Sequence, residues 1–89
     1  MRHRYLEVTF RKGIALAAYL YLPRVAGTAA ASTADAGNGM RADLAEDGRL
    51  IGVEITAPSL TTIAQVNELL SSYGEVPLAS EEWAPLAAA

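Results

Sequence analysis

Nine consecutive residues, Ile14-Ala15-Leu16-Ala17-Ala18-Tyr19-Leu20-Tyr21-Leu22, carry no charge on either alternating face, and Pro23 closes them. The run is far short of the ~20 apolar residues needed to cross a bilayer. Its length and period suit a strand. Ile14, Leu16, Ala18, Leu20 and Leu22 share one face; Ala15, Ala17, Tyr19 and Tyr21 share the other. A strand apolar on both sides lies inside a sheet or in an interface. Pro23 ends it because proline lacks the amide donor a ladder needs.

The flanking segments supply strand partners. Residues 4–11 alternate, with Leu6, Val8 and Phe10 against Tyr5, Glu7, Thr9 and Arg11, and Lys12-Gly13 follows as a turn. Residues 40–45 and 49–55 alternate on either side of Glu46-Asp47-Gly48. Asp-Gly between apolar strands is a strong hairpin signal, here expected as a tight turn with both central residues at positive φ. Between the two hairpins, residues 25–39 are nearly all small and are expected as a loop, with at most a short strand at Ser32–Ala36. Asn38-Gly39 closes it as a turn.

The period then changes. Leu60, Ile63, Val66, Asn67, Leu70 and Tyr73 recur at helical spacing, with Ser59 as the expected cap and Gly74 as the stop. Ser80-Glu81-Glu82-Trp83 has the form of a capped first helical turn, which Pro85 keeps short. Leu78, Trp83 and Leu86 are expected to dock this tail on the domain.

The expected fold is therefore α+β. It is a single domain over 1–89, with an antiparallel sheet of about four strands in two hairpins across 4–57. One helix at 58–74 packs on one sheet face, and a connector and short C-terminal helical turn occupy 75–89.

Composition narrows function more by exclusion than by indication. The chain of 89 residues has no Cys and a single His, His3. That removes thiol chemistry, disulfide scaffolds and cysteine zinc sites. Leu, Ile, Val and Phe number 21, enough for a core but a thin one, so self-association is expected. The net charge of −3 disfavours general nucleic-acid binding. Arg2, Arg4, Arg11 and Lys12 cluster near the start, where charges flanking an outer strand discourage uncontrolled pairing. Residues 1–12 lack an apolar leader run, so a cytoplasmic protein without a membrane span is expected.

Three constellations bear on function. Tyr5, Tyr19 and Tyr21, with Ala15 and Ala17 between them, form an expected outer-face patch. Aromatics of this kind anchor protein contacts, and few cations accompany them to favour a nucleic acid. Asp43, Glu54 and Arg41 form a possible polar site on the hairpin. Asp43 and Glu54 as a carboxylate pair would need a pocket to do acid–base work, and Glu54 pairs equally well with Arg41. The acids Asp43, Glu46 and Asp47 lack the spacing of a calcium loop and are expected as a solvated turn. No metal or cofactor is expected.

The segment Asp43-Leu44-Ala45-Glu46-Asp47-Gly48-Arg49-Leu50-Ile51-Gly52-Val53-Glu54-Ile55-Thr56-Ala57 resembles the hallmark of a family of small bacterial proteins, the domain of unknown function 2283. Tyr19-Leu20-Tyr21-Leu22 is similar to that family's upstream strand. The resemblance covers about residues 10–57, with 58–89 as an extension. Phe10-Arg11-Lys12-Gly13 and Ser32-Thr33-Ala34-Asp35 depart from the pattern. The resemblance implies a compact sheet domain and no defined activity. Some members are encoded beside small toxin-like proteins, which implies an antitoxin-like role toward a small basic partner. The three resulting expectations are a non-enzymatic homodimeric interaction module, such an antitoxin-like partner, and a weak acid–base enzyme using Glu54 and Asp43.

Overall fold

A computed structural model describes residues 3–24 and 27–87. The expected loop near 25–39 therefore falls in part, at residues 25–26, outside the described residues. The architecture is α+β. Strands β1 (Tyr5–Arg11), β2 (Ile14–Tyr21), β3 (Ser32–Gly37), β4 (Met40–Leu44) and β5 (Leu50–Ile55) form one antiparallel sheet in the order β1-β2-β5-β4-β3. Helices α1 (Ile63–Ser72) and α2 (Ser80–Ala87) follow.

The fifth strand is the short one expected at Ser32–Ala36, longer by Gly37, and it brings the sheet from about four strands to five. Ser32–Gly37 has little side chain to bury, yet its backbone pairs along β4 from Ser32–Leu44 to Gly37–Met40. Ladder hydrogen bonds, rather than apolar burial, hold this edge.

Turn chemistry also differs from expectation. Lys12-Gly13 and Asn38-Gly39 each place both residues at positive φ, as two-residue hairpin turns require. At Asp47-Gly48 only Gly48 does, at +86°. There the amide of Ala45 donates to the Arg49 carbonyl at 2.8 Å across a three-residue loop. Glu46 supplies the additional residue, so the loop is a three-residue turn ending in a left-handed glycine.

Leu20, Leu22, Val53, Ile55, Val66 and Leu70 are fully buried, with Met40, Ala42, Leu50 and Leu78 packed beside them. A buried side chain of this size contributes roughly 1.5–3 kcal/mol. Leu6, Val8, Leu69, Trp83 and Leu86 pack against this cluster, which places both helices on the same side of the sheet.

Helix α1 begins later than expected. Pro58–Leu60 forms a 3-10 turn, and Leu60 is 65% exposed rather than part of the buried stripe. The cap is Thr62, not Ser59. Gln65 N donates to Thr62 Oγ1 at 3.2 Å, and Thr62 N donates to Gln65 Oε1 at 2.9 Å. This reciprocal box satisfies two otherwise unpaired donors, which Ser59 ahead of the 3-10 turn does not.

Helix α2 exceeds the single turn expected, at eight residues with Pro85 inside. Pro85 forfeits one backbone bond. Trp83 and Leu86 pack on the core and Glu82 is held by Arg4, so tertiary contacts outweigh that loss. No helix among the described residues is long and apolar enough to cross a membrane.

Candidate functional site

The register places two rows of side chains across the sheet face that no helix covers. One row runs Tyr5, Tyr21, Gly52, Asp43, Thr33; the next runs Glu7, Tyr19, Glu54, Arg41, Asp35. Tyr5 and Tyr21 stack with ring centroids 4.7 Å apart, and Tyr19 lies 4.6 Å from Tyr21 at a tilt of 52°. Such pairs add about 0.5–1.5 kcal/mol beyond area burial. Arg24 sits 5.9 Å from the Tyr21 centroid, within cation–π range.

Gly52 makes the strip possible. A Cβ at that position would lie 2.0 Å from the Tyr19 hydroxyl oxygen and 2.6 Å from Cε1. The phenol ring crosses β5 over this bare backbone. Beyond it, the Tyr19 hydroxyl donates to Asp43 Oδ2 at 2.6 Å, and Thr33 Oγ1 donates to Asp43 Oδ1 at 2.8 Å. Three strands, β2, β4 and β3, are thus tied by one side-chain chain on the open face, which passes over β5 at Gly52. Burial first, and then the bond to Asp43, push the Tyr19 hydroxyl up to about 12. Tyr21 is raised as well, by burial first and by the Glu7 charge next; its hydroxyl donates to Glu7 Oε1 at 3.3 Å.

The predicted patch divides at a bulge. Thr9 pairs with Ala17, and Phe10 with Ala15, leaving Leu16 unopposed. The extra residue shifts the phase of β2. Ala17, Tyr19 and Tyr21 stay on the open face with Tyr5. Ala15 instead follows Phe10 to the helix side, where it lines a shallow hollow of about 260 Å³ with Pro58, Ser59 and Leu86. Ile14, which pairs with Arg11, lines the same hollow. Ala15 is thus separated from the tyrosines. Ile14 is 65% exposed, and Leu16 and Phe10 are about half exposed.

Asp43, Glu54 and Arg41 all stand on the open face. Arg41 is opposite Glu54 in the register, yet Arg4–Glu82 is the single ion pair among the described residues. Asp43 is engaged by Tyr19 and Thr33. Arg41 lines an open hollow of about 550 Å³ with Asp35, Gly39, Met40 and Thr56. Neither Asp43 nor Glu54 lines this hollow or the two other principal ones, so the carboxylates share no concave site there. Asp47 Oδ1 accepts from Arg49 N at 3.0 Å, a turn contact. No group of three or more His, Cys, Asp and Glu with metal-binding geometry occurs among the described residues.

The Arg4 contact is invisible at sequence level. Its Nε donates to Glu82 Oε2 at 2.7 Å, and its Nη2 donates to Glu82 Oε1 at 3.0 Å and to the Pro77 carbonyl at 2.8 Å. Nη1 donates to the Val76 carbonyl. The hydrogen bond from Arg4 holds Glu82 below its usual range, and the same bond raises Arg4. No spacing rule joins residues so far apart. Gly52, by contrast, left a legible signal, since glycine inside a strand marks a close approach.

No family model, curated protein or solved structure matches the chain.

Proposed function

We propose that the chain is a non-enzymatic protein-interaction module that associates with itself through its N-terminal hairpin. The observation that carries this reading is where the exposed apolar side chains gather. Of the seven exposed large apolar side chains among the described residues, four, Tyr5, Phe10, Ile14 and Leu16, lie together on β1 and β2, while Leu60, Tyr73 and Val76 lie on other segments. Rigid stacked aromatics lose little entropy on binding and serve well as anchors. The open face that holds Tyr5 carries Glu7, Asp35, Asp43 and Glu54 against Arg11 and Arg41, a net-acidic surface that suits phosphates poorly and protein as a mixed-charge rim. The thin core points the same way.

The antitoxin-like alternative draws less support. Two acids it would present to a basic partner are already engaged: Glu82 by Arg4 and Asp43 by Tyr19 and Thr33. Membership of the domain of unknown function 2283 family rests on the resemblance over 10–57 alone.

Sedimentation velocity from low to high micromolar concentration tests the reading. A reversible dimer is expected. A monomer throughout that range would overturn it.

A further inference from the structure

We propose that two copies join by antiparallel pairing of β1 with β1, about a two-fold axis through Thr9 and normal to the sheet. The inference rests on the self-association reading and specifies its geometry.

β1 is an edge strand. Its one strand neighbour among the described residues is β2. The groups along its other side form a ready template for a further strand. An antiparallel two-fold pairing keeps each open face on the same side, so odd positions meet odd positions. With the axis at Thr9, Glu7 lies directly opposite the partner's Arg11, and Arg11 opposite the partner's Glu7. An axis at Glu7 or at Arg11 would instead oppose like charges. Glu7 and Arg11 are both exposed, and neither forms an ion pair among the described residues; the Tyr21 hydroxyl donates to Glu7 Oε1 at 3.3 Å, a bond to a neutral group that leaves the Glu7 charge uncompensated. Opposite charges facing across strands stabilise a pairing and like charges weaken it.

The other alternation agrees. The same axis sets Phe10 against the partner's Val8 and diagonally within reach of the partner's Phe10, covering a ring now 48% exposed. On the open face Tyr5 comes diagonal to the partner's Arg11. Arg4 does not oppose the contact, because Glu82 already neutralises it. The edge at β3 has no equivalent: Ser32–Gly37 offers one charge, Asp35, and no large side chain. The product is a continuous ten-stranded sheet whose two tyrosine strips lie on one face.

Charge reversal tests the register. Glu7→Arg alone and Arg11→Glu alone each create two like-charge contacts, and each is expected to raise the dimer dissociation constant about tenfold or more. The double variant Glu7→Arg/Arg11→Glu restores both contacts and returns it to within about threefold. Single reversals that leave dimerisation unchanged would overturn the register while self-association stands. A wild-type monomer would remove both.

Because the chain has no cysteine, a second measurement is independent of charge. Thr9→Cys is expected to form a disulfide-linked dimer under mild oxidation much faster than Thr33→Cys on the opposite edge. Equal rates would overturn the proposal.

Discussion

The Tyr19 hydroxyl reaches Asp43 Oδ2 at 2.6 Å although β5 runs between their strands. The bond passes over Gly52, where any side chain would occupy the space of the phenol ring.

Gly52→Ala therefore displaces Tyr19. We expect a loss of about 1–3 kcal/mol, as for other overpacked sites. That corresponds to about 4–8 °C of melting temperature per kcal/mol in a domain of this size. In a Tyr19→Ala background the same change should cost far less. A double-mutant cycle reads the coupling, and simple additivity would contradict the contact.

Tyr19 also predicts an alkaline limit. Its folded value of about 12 exceeds the ordinary 10.0, so the stability it contributes is complete below pH 10.0 and lost as pH rises through about 12. A tyrosinate absorbance titration should show a late component that Tyr19→Phe removes. Simultaneous ionisation of all tyrosines near pH 10 would contradict this.

At the acid end the sign reverses. The folded value of Glu82 lies below the ordinary 4.5, so its contribution is present above that value and lost as pH falls through the depressed one. Arg4→Ala should flatten this acid limb and cost about 1 kcal/mol, the upper end for a partly exposed pair. Trp83, the single tryptophan, lies on the helix that Arg4 tethers. Its emission should shift to the red as α2 loosens; unchanged emission would mean that the apolar contacts hold α2 alone.

The start of α1 separates two hydroxyls. Thr62→Ala removes the reciprocal cap and should cost about 1 kcal/mol. Ser59→Ala should lie within about 0.5 kcal/mol of wild type. Equal effects in thermal melts would contradict the capping box.

Where side-chain period decided the outcome, the sequence was readable. Leu20, Val53, Ile55, Val66 and Leu70 are buried as their spacing requires. β3 was readable only as a short strand at Ser32–Ala36, because backbone pairing by small residues leaves no hydrophobic pattern. Two features were not readable, each for its own reason. The bulge at Leu16 breaks an otherwise unbroken alternation without a glycine or proline to announce it, so alternation alone puts Ala15 on the face of Tyr19 and Tyr21. Arg4 and Glu82 meet only because α2 returns to β1. Of the candidate site, the tyrosines were legible as a group. Their tie to Asp43 was not, because it depends on how strands far apart in sequence are registered.

The strand order also divides the sheet into two pieces that differ in when they can form. β1 and β2 close over Lys12-Gly13, and β3, β4 and β5 close over two short loops; the β2–β5 ladder, Ala18–Tyr21 against Gly52–Ile55, is their one strand-to-strand junction. Local hairpins assemble in microseconds, whereas joining them means drawing together distant parts of the chain. The slow event on the folding clock is thus this suture. In stopped-flow kinetics Leu20→Ala, at the suture, should retard refolding, while Thr33→Ala, at the far edge, should act on unfolding alone. Equal retardation by both would place the slow step elsewhere. Tyr19 drops onto Gly52 only when the two pieces arrive in register, so the missing side chain serves as the notch that stops them one residue neither early nor late.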